Sequence, residues 1–289
     1  MTTAFLFPGQ GAQRAGMGLD LLDRFPDLTA AASQRLGEDV RALCADEARL
    51  ALTRHAQPAT YVVSALAARA AQADGLVMDL ALGHSLGEYN ALEAAGAFDF
   101  LDGVDLVRQR AEITASVTTG AMTAVQGLPA DVLRAELVAA GLAGVQVANL
   151  NTPVQTVLAG PSEEITAAEE LARRLQAIDI RRLPITGAFH STHMRLAATR
   201  FAAVLADFPF RAPRVPVIAN LTARPHNATE IGASLADHLV SPVRWHESIL
   251  WAVRRCPDIR FHQPGPSQVL VRMLRQIPGA TPALSGARR

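Results

Sequence analysis

Apolar residues recur along this chain in two rhythms, short solid runs and longer stretches with helical spacing. The first solid run, Ala4-Phe5-Leu6-Phe7, is stopped at once by Pro8-Gly9-Gln10-Gly11. A run that short, ended by proline and glycine, predicts a buried strand feeding a tight turn. Residues 20–75 are rich in alanine and leucine with helical periodicity, including Ala59 to Ala71. A second buried strand is predicted over Leu76–Leu82, then a helix from Leu86 to about Ala95. Gly103–Thr114 is helical too. Leu106 and Val107 mark its inward face, and residues three and four apart share a face, so Arg110 rather than Arg108 points inward.

From Met122 the texture changes. Strands are expected over Met122–Leu128, Val145–Asn149 and Thr156–Ala159, with a helix over Pro129–Ala140. A second helix, Ser162–Gln176, would take Ser162 as its N-cap with Glu164 in the first turn, and Arg182–Pro184 would close the set as an edge strand. This β-α-β-β-α-β order is the split pattern of a small ferredoxin-like unit. It reads as an insertion, because the elements after Phe189 have no core of their own without the first half. Beyond it, Val217–Ala219 reads as a short strand and Phe261–Leu270 as a sheet-edge turn.

Composition narrows the function classes. The chain has 289 residues, 49% hydrophobic and 19% charged, enough to bury a large core. Lys+Arg and Asp+Glu both total 27, and no basic stripe interleaved with aromatics appears, so a nucleic acid is not expected as partner. No window approaches membrane-spanning length, and the start, MTTAFLFPGQG, has no basic stretch leading a long apolar one. Cys44 and Cys256 lack metal-type spacing and point to a reducing, cytoplasmic setting. The eight histidines fall into no ligand pattern, so no metal site is expected.

Candidate chemistry starts at Gly83-His84-Ser85-Leu86-Gly87. Glycines two residues either side of a serine allow a turn too tight for Cβ atoms, one that holds the hydroxyl exposed at the top of a sheet. An incidental serine in a glycine-rich loop is the alternative. The strand before and the helix after favour a nucleophile. Arg110 raises a second question, since a buried guanidinium is costly unless an anion meets it. Either an internal carboxylate or a ligand carboxylate would do, or the stem packs while the head reaches water. Gly187-Ala-Phe-His-Ser-Thr-His193 then supplies imidazoles. His190 is the natural partner for Ser85, able to take the hydroxyl proton and return it to a leaving thiol. A purely structural histidine is the alternative there, and His193 is a second candidate.

In order along the chain, FLFPGQGAQ, HAQPA at 55–59, GHSLGEYNAL at 83–92, VRQRAEI around Arg110 and ANLNTPVQTVLAGP at 148–161 form one series. GAFHS at 187–191, ANLTARP at 219–225, SPVRW at 241–245 and QPGPSQVL at 263–270 continue it. Together these resemble the malonyl-CoA:acyl carrier protein transacylase family over essentially the whole chain. The texture of GHSLGEYNALEAAGAFDF with GAFHS is most similar to the free-standing acyltransferases that serve polyketide synthases. The fold implied is α/β, with a hydrolase-like parallel-sheet large domain (1–121 and 188–289) and an inserted ferredoxin-like small domain (122–187). The resemblance implies Ser85 as nucleophile and His190 as general base and acid, a dyad without an acidic third member. It implies backbone N–H groups of Gln10 and Leu86 as oxyanion hole, and Arg110 as the grip on the free carboxylate of malonate. Gln57, His84 and Phe189 would contact substrate, the phenylalanine crowding the space of an α-methyl group. A backbone carbonyl in the SPVRW segment, at Arg244, would orient His190. The fatty acid enzymes have glutamine at that position, and an arginine there would lower the basicity of the imidazole. Ala111-Glu-Ile-Thr114 replaces the usual Gly-Glu-Leu-Met after the arginine.

The expected activity is transfer of malonyl from malonyl-CoA through a Ser85 ester to the phosphopantetheine thiol of an acyl carrier protein. It belongs to polyketide or fatty acid biosynthesis and needs no resident cofactor. Rivals are an acyl hydrolase that clears stalled carrier proteins, a non-catalytic docking module on the same fold, and the transacylase component of a malonate decarboxylase. Arg110 counts against the hydrolase, and intact Ser85, His190 and Gln10 count against the docking module.

Overall fold

The structure is a computed structural model and describes residues 1–280. Its first sheet has the order β8-β7-β2-β1-β9, built from β1 (Thr3–Phe7), β2 (Leu80–Gly83), β7 (Val217–Ala219), β8 (Arg224–Pro225) and β9 (Arg260–His262). β1 runs parallel to β2 and β9, and β2 parallel to β7; only the short β8 is antiparallel. Side chains of β1 alternate between two cores. Phe5 and Phe7 pack with Tyr61, Leu66, Leu92 and Val107, whereas Ala4 and Leu6 pack with Ile218, Trp245, Ile249 and Phe261. A sheet covered on both faces explains why its strands read as solid apolar runs rather than alternating ones.

The second sheet has the order β4-β5-β3-β6, from β3 (Ala121–Gln126), β4 (Gln146–Thr152), β5 (Gln155–Gly160) and β6 (Asp179–Arg182). Every pairing in it is antiparallel. Helices Ala130–Ala139 and Ser162–Arg174 cover one face through Leu133, Leu137, Ile165 and Leu171. The other face carries Met122, Val157 and Ala159 against Phe189 and Met194. The two sheets are stitched together where Val243 exchanges backbone hydrogen bonds with Ala148 and Leu150 of β4. The molecule is therefore α/β, with a mostly parallel sheet and a separate antiparallel one.

Three local expectations shift. Ser162 is the first helical residue rather than the cap, because Pro161, with φ −57° and ψ 140°, occupies the flanking position; no side chain caps that end. Residues 76–79 precede the strand rather than belong to it: Leu76 closes the preceding helix through Ala71, after Gly75 at φ +91°. The edge strand is Asp179–Arg182, three residues before the expected one. Its charged sequence hides a strand signal, as edge strands do when charge guards them against further pairing.

Candidate active site

Two glycines of the serine turn are there for close approach rather than for left-handed backbone. A Cβ on Gly83 would lie 2.0 Å from the backbone of Gly87, and one on Gly87 would lie 2.0 Å from the Phe7 carbonyl oxygen. The left-handed residue is Ser85 itself, at φ 52°. β2 thus ends against the first turn of helix Gly87–Ala94, and Ser85 protrudes at their junction. Asn220, just past β7, holds the turn: its Nδ2 donates to the Gly83 carbonyl at 2.6 Å and its Oδ1 accepts from the Ser85 N–H at 2.9 Å.

His190 meets this serine across the boundary between the sheets, with Nε2 2.7 Å from Ser85 Oγ. Its other nitrogen, Nδ1, donates to the His238 carbonyl at 3.0 Å, which leaves Nε2 free to accept the serine proton. Burial pushes His190 well below the ordinary imidazole range; neighbouring His238, Arg110 and His84 push the same way, and the bond to the His238 carbonyl opposes them. The ring is therefore a neutral base at neutral pH. Like Ser85 it sits in the left-handed region, at φ 58°. His193 is not part of the pair. It is exposed and its Nε2 bonds the Gly144 carbonyl at 2.9 Å.

The orienting carbonyl expected at Arg244 comes instead from His238, at the last turn of helix Ile231–His238. The Arg244 carbonyl is already used, accepting from the N–H and hydroxyl of Ser248 at the start of the next helix. Its guanidinium pairs with Glu247, Nε to Oε1 at 2.9 Å, so the charge is spent there and is not among the groups that depress His190.

Ser85 and His190 open onto a cavity of about 650 Å³, also lined by Gln10, His84, Leu86, Arg110, Met122, Asn149, Val157 and Phe189. The backbone N–H groups of Gln10 and Leu86 donate to no other group among the described residues, so both remain available to a ligand oxygen. His84 lies behind its neighbour. Its Nε2 donates to Asn151 Oδ1 at 2.8 Å, its ring packs on Trp245, and burial depresses its pKa to about 4.

Arg110 answers the question its sequence position raised. It is buried at 2% exposure, and among the described residues no carboxylate of the chain pairs with it. Nη1 donates to Gln57 Oε1 at 2.6 Å, the guanidinium lies 5.3 Å from the centre of the Tyr89 ring, and Nε has no partner. Gln57, expected on the cavity wall, is fully buried behind the arginine. Its amide also donates to Thr114 Oγ1 at 3.1 Å, so it positions Arg110 rather than meeting solvent. Phe189 is nine-tenths buried, with its ring over Gly187, where an added Cβ would come within 3.1 Å of it.

Sequence reasoning missed Asn220 and His238. Asn220 follows a strand of only three residues, and His238 acts through its backbone, which no side-chain pattern reports.

Among the described residues no helix is long and apolar enough to cross a membrane, and no cluster of three or more His, Cys, Asp or Glu could hold a metal. The family model for the acyl transferase domain matches residues 4–273. The polyketide biosynthesis protein ThaF of Burkholderia thailandensis is 43% identical over 98% of this chain, which spans only 25% of ThaF. A polyketide biosynthesis malonyl CoA-acyl carrier protein transacylase, BaeC of Bacillus velezensis, is 40% identical over 96% of this chain and 98% of its own. A crystal structure of malonyl CoA-acyl carrier protein transacylase from Burkholderia pseudomallei superposes with a TM-score of 0.92 at 44% identity, covering 98% of this chain and all of that one. With a family model spanning both sheets and whole-length relatives at this identity, the chain belongs to the acyl transferase family, among the malonyl-CoA:acyl carrier protein transacylases.

Proposed function

We propose that this protein moves a malonyl group from malonyl-CoA to an acyl carrier protein through an ester on Ser85. One observation carries the reading: a hydrogen-bonded serine–imidazole pair and a buried arginine without an acid partner among the described residues face the same cavity. His190 Nε2 takes the Ser85 proton as Oγ attacks the thioester carbonyl, and the tetrahedral oxyanion forms against the N–H groups of Gln10 and Leu86. Collapse expels CoA, whose sulfur leaves with the proton from His190. The carrier protein's phosphopantetheine thiol then repeats the cycle in reverse. Arg110 meets the malonyl carboxylate through its planar fork, so the charge it lacks inside the protein comes with the substrate.

Arg181 and Arg272 are exposed on the same cavity and face no carboxylate among the described residues. They supply positive charge for the phosphates shared by CoA and phosphopantetheine. Residues 122–187 act as a small domain that closes the site over the large one. The chemistry draws on no resident cofactor. Free Cys44 and Cys256 agree with a cytoplasmic enzyme. BaeC and ThaF support a polyketide setting by name. Intact-protein mass spectrometry after incubation with malonyl-CoA tests the reading. A malonyl adduct is expected on Ser85, stable in water and discharged by a phosphopantetheinylated carrier protein. Free malonate released equally fast without carrier would instead identify a hydrolase.

A further inference from the structure

Glu88 is buried at 1% exposure three residues after the nucleophile, and the proposed reaction gives it no role. Its Oε1 accepts from the backbone N–H of Asn220 at 3.1 Å and from His226 Nε2 at 2.8 Å. Oε2 lies 3.1 Å from Nδ1 of His238, a close electrostatic contact rather than an aligned hydrogen bond. Both imidazoles are themselves buried. Burial alone would raise the Glu88 carboxyl, yet the two imidazoles outweigh it and hold it at about 2, so the group is a carboxylate at every working pH. A buried charge needs a reason, because polar partners rarely recover all that desolvation removes.

The partners supply that reason. Asn220 is the residue whose side chain bridges the Gly83 carbonyl and the Ser85 N–H. His238 is the residue whose carbonyl accepts from His190 Nδ1, and its ring lies 4.5 Å from that of His190. One carboxylate therefore anchors both supports of the catalytic pair, one beneath the serine and one behind the histidine. Ser85 and His190 both hold left-handed backbone, a conformation that non-glycine residues keep only where the surroundings over-determine it.

We propose that Glu88 is a positioning residue for the Ser85–His190 pair: its carboxylate ties Asn220, His226 and His238 into one buried unit that keeps Oγ and Nε2 in register. The inference rests on Ser85 and His190 being the reacting pair. Misplacement of a reacting group by about 1 Å can cost roughly a hundredfold in rate. Glu88→Gln keeps the volume and one acceptor but loses the charge that holds two imidazoles at once. His238→Leu keeps the backbone carbonyl and removes only its anchor.

The experiment makes two measurements on the 289-residue chain: the rate at which a fluorophosphonate labels Ser85, and the steady-state kinetics (kcat and KM) with malonyl-CoA. Labelling reports the serine–imidazole pair without using Arg110 or a carrier. Both variants should label about tenfold to a hundredfold more slowly and lose kcat in proportion, with KM within about twofold, since the Arg110 end is untouched. Wild-type labelling rates in folded variants, with only a lowered melting temperature, would make Glu88 a structural acid and overturn the inference alone. Should Glu88→Gln fail to fold, His238→Leu decides by the same two rates. Absence of labelling in the wild type, or equal labelling of Ser85→Ala, would overturn the Ser85 assignment and the inference with it.

Discussion

The two ends of the cavity are built on opposite principles. At the Ser85 end the oriented polar groups already have protein partners: Oγ with Nε2, Nδ1 with the His238 carbonyl, the serine N–H with Asn220. At the Arg110 end a buried guanidinium has an amide, an aromatic ring and, among the described residues, an unpaired Nε and no anion. The first end is complete before substrate arrives. The second becomes complete only with a carboxylate in place. On the proposed reading, chemistry is preorganised, while specificity is left as an electrostatic demand that one class of acyl group meets.

Breaking the complete end should have the largest effect. Ser85→Ala removes the only atom that can carry the ester, so adduct formation with malonyl-CoA should vanish in intact-mass measurements. His190→Ala leaves the nucleophile but removes its base, and acylation should slow by about 10²–10⁴-fold. A malonyl adduct on Ser85→Ala at the wild-type level would refute the division drawn above.

Breaking the incomplete end should cost less and discriminate more. Arg110→Ala removes a charge-assisted contact worth about 1.5–3 kcal/mol, so malonyl transfer should fall roughly 10–150-fold. Acetyl transfer, which offers no carboxylate, should stay level or improve, because an unpaired buried charge has gone. Equal losses for the two acyl-CoAs would make Arg110 part of the scaffold rather than the selector.

These two ends were not equally legible in the sequence. Ser85 announced itself through a strand, two glycines and a helix, and the structure shows those glycines forced by close approach rather than by torsion. Helical spacing alone showed that Arg110 faces inward, but its role as a carboxylate grip came only with the family resemblance. The β-α-β-β-α-β order gave the antiparallel sheet, although the edge strand moved because Asp179-Ile-Arg-Arg182 carries charge where strands usually carry β-branched residues. What stayed hidden acts through the backbone or at long range in sequence. The His238 carbonyl has no side-chain signature, Gln57 supports Arg110 from 53 positions away, and Arg244 could not be told from an orienter until its carbonyl was seen capping Ser248.

A pH series separates the ends without mutation, since arginine stays charged throughout whereas the histidines of the complete end titrate. Burial lowers His190 and takes His84 to about 4, both below the ~6.5 of an unfolded chain. As pH falls below ~6.5 the unfolded state binds protons that the folded state refuses. Stability contributed by the neutral rings is thus full above ~6.5 and declines as pH falls toward about 4. Each ring costs up to about 1.4 kcal/mol per pH unit in that window. Glu88, also held below its ordinary value, works in the same direction at lower pH, its contribution full above ~4.5 and lost as pH falls toward about 2. Melting temperature should drop steadily from pH 7 to pH 5, while the acid limb of acylation lies below pH 6.5. A melting temperature flat across that range would mean the rings are not buried as neutral bases.

The smallest effect sharpens the boundary between the ends, where Phe189 stands next to His190 and lines the cavity. Its ring is fixed on both sides. Gly187, at φ +116°, lies beneath it, and Met122, Ala148, Val157 and Met194 pack around it. A wall this well packed cannot yield to an extra methyl on the α-carbon of the acyl group. Forcing one in costs about 1–3 kcal/mol, which is a preference of roughly fivefold to 150-fold for malonyl over methylmalonyl. Phe189→Ser opens that space without touching Ser85, His190 or Arg110, so the ratio of kcat/KM for the two acyl-CoAs should narrow by about tenfold, mainly through faster methylmalonyl transfer. Melting temperature will fall in the same variant, since a buried aromatic has been removed. The ratio is therefore the readout that matters, because lost stability affects both substrates alike. An unchanged ratio would place the α-carbon away from Phe189 and leave discrimination to the carboxylate grip of Arg110 alone.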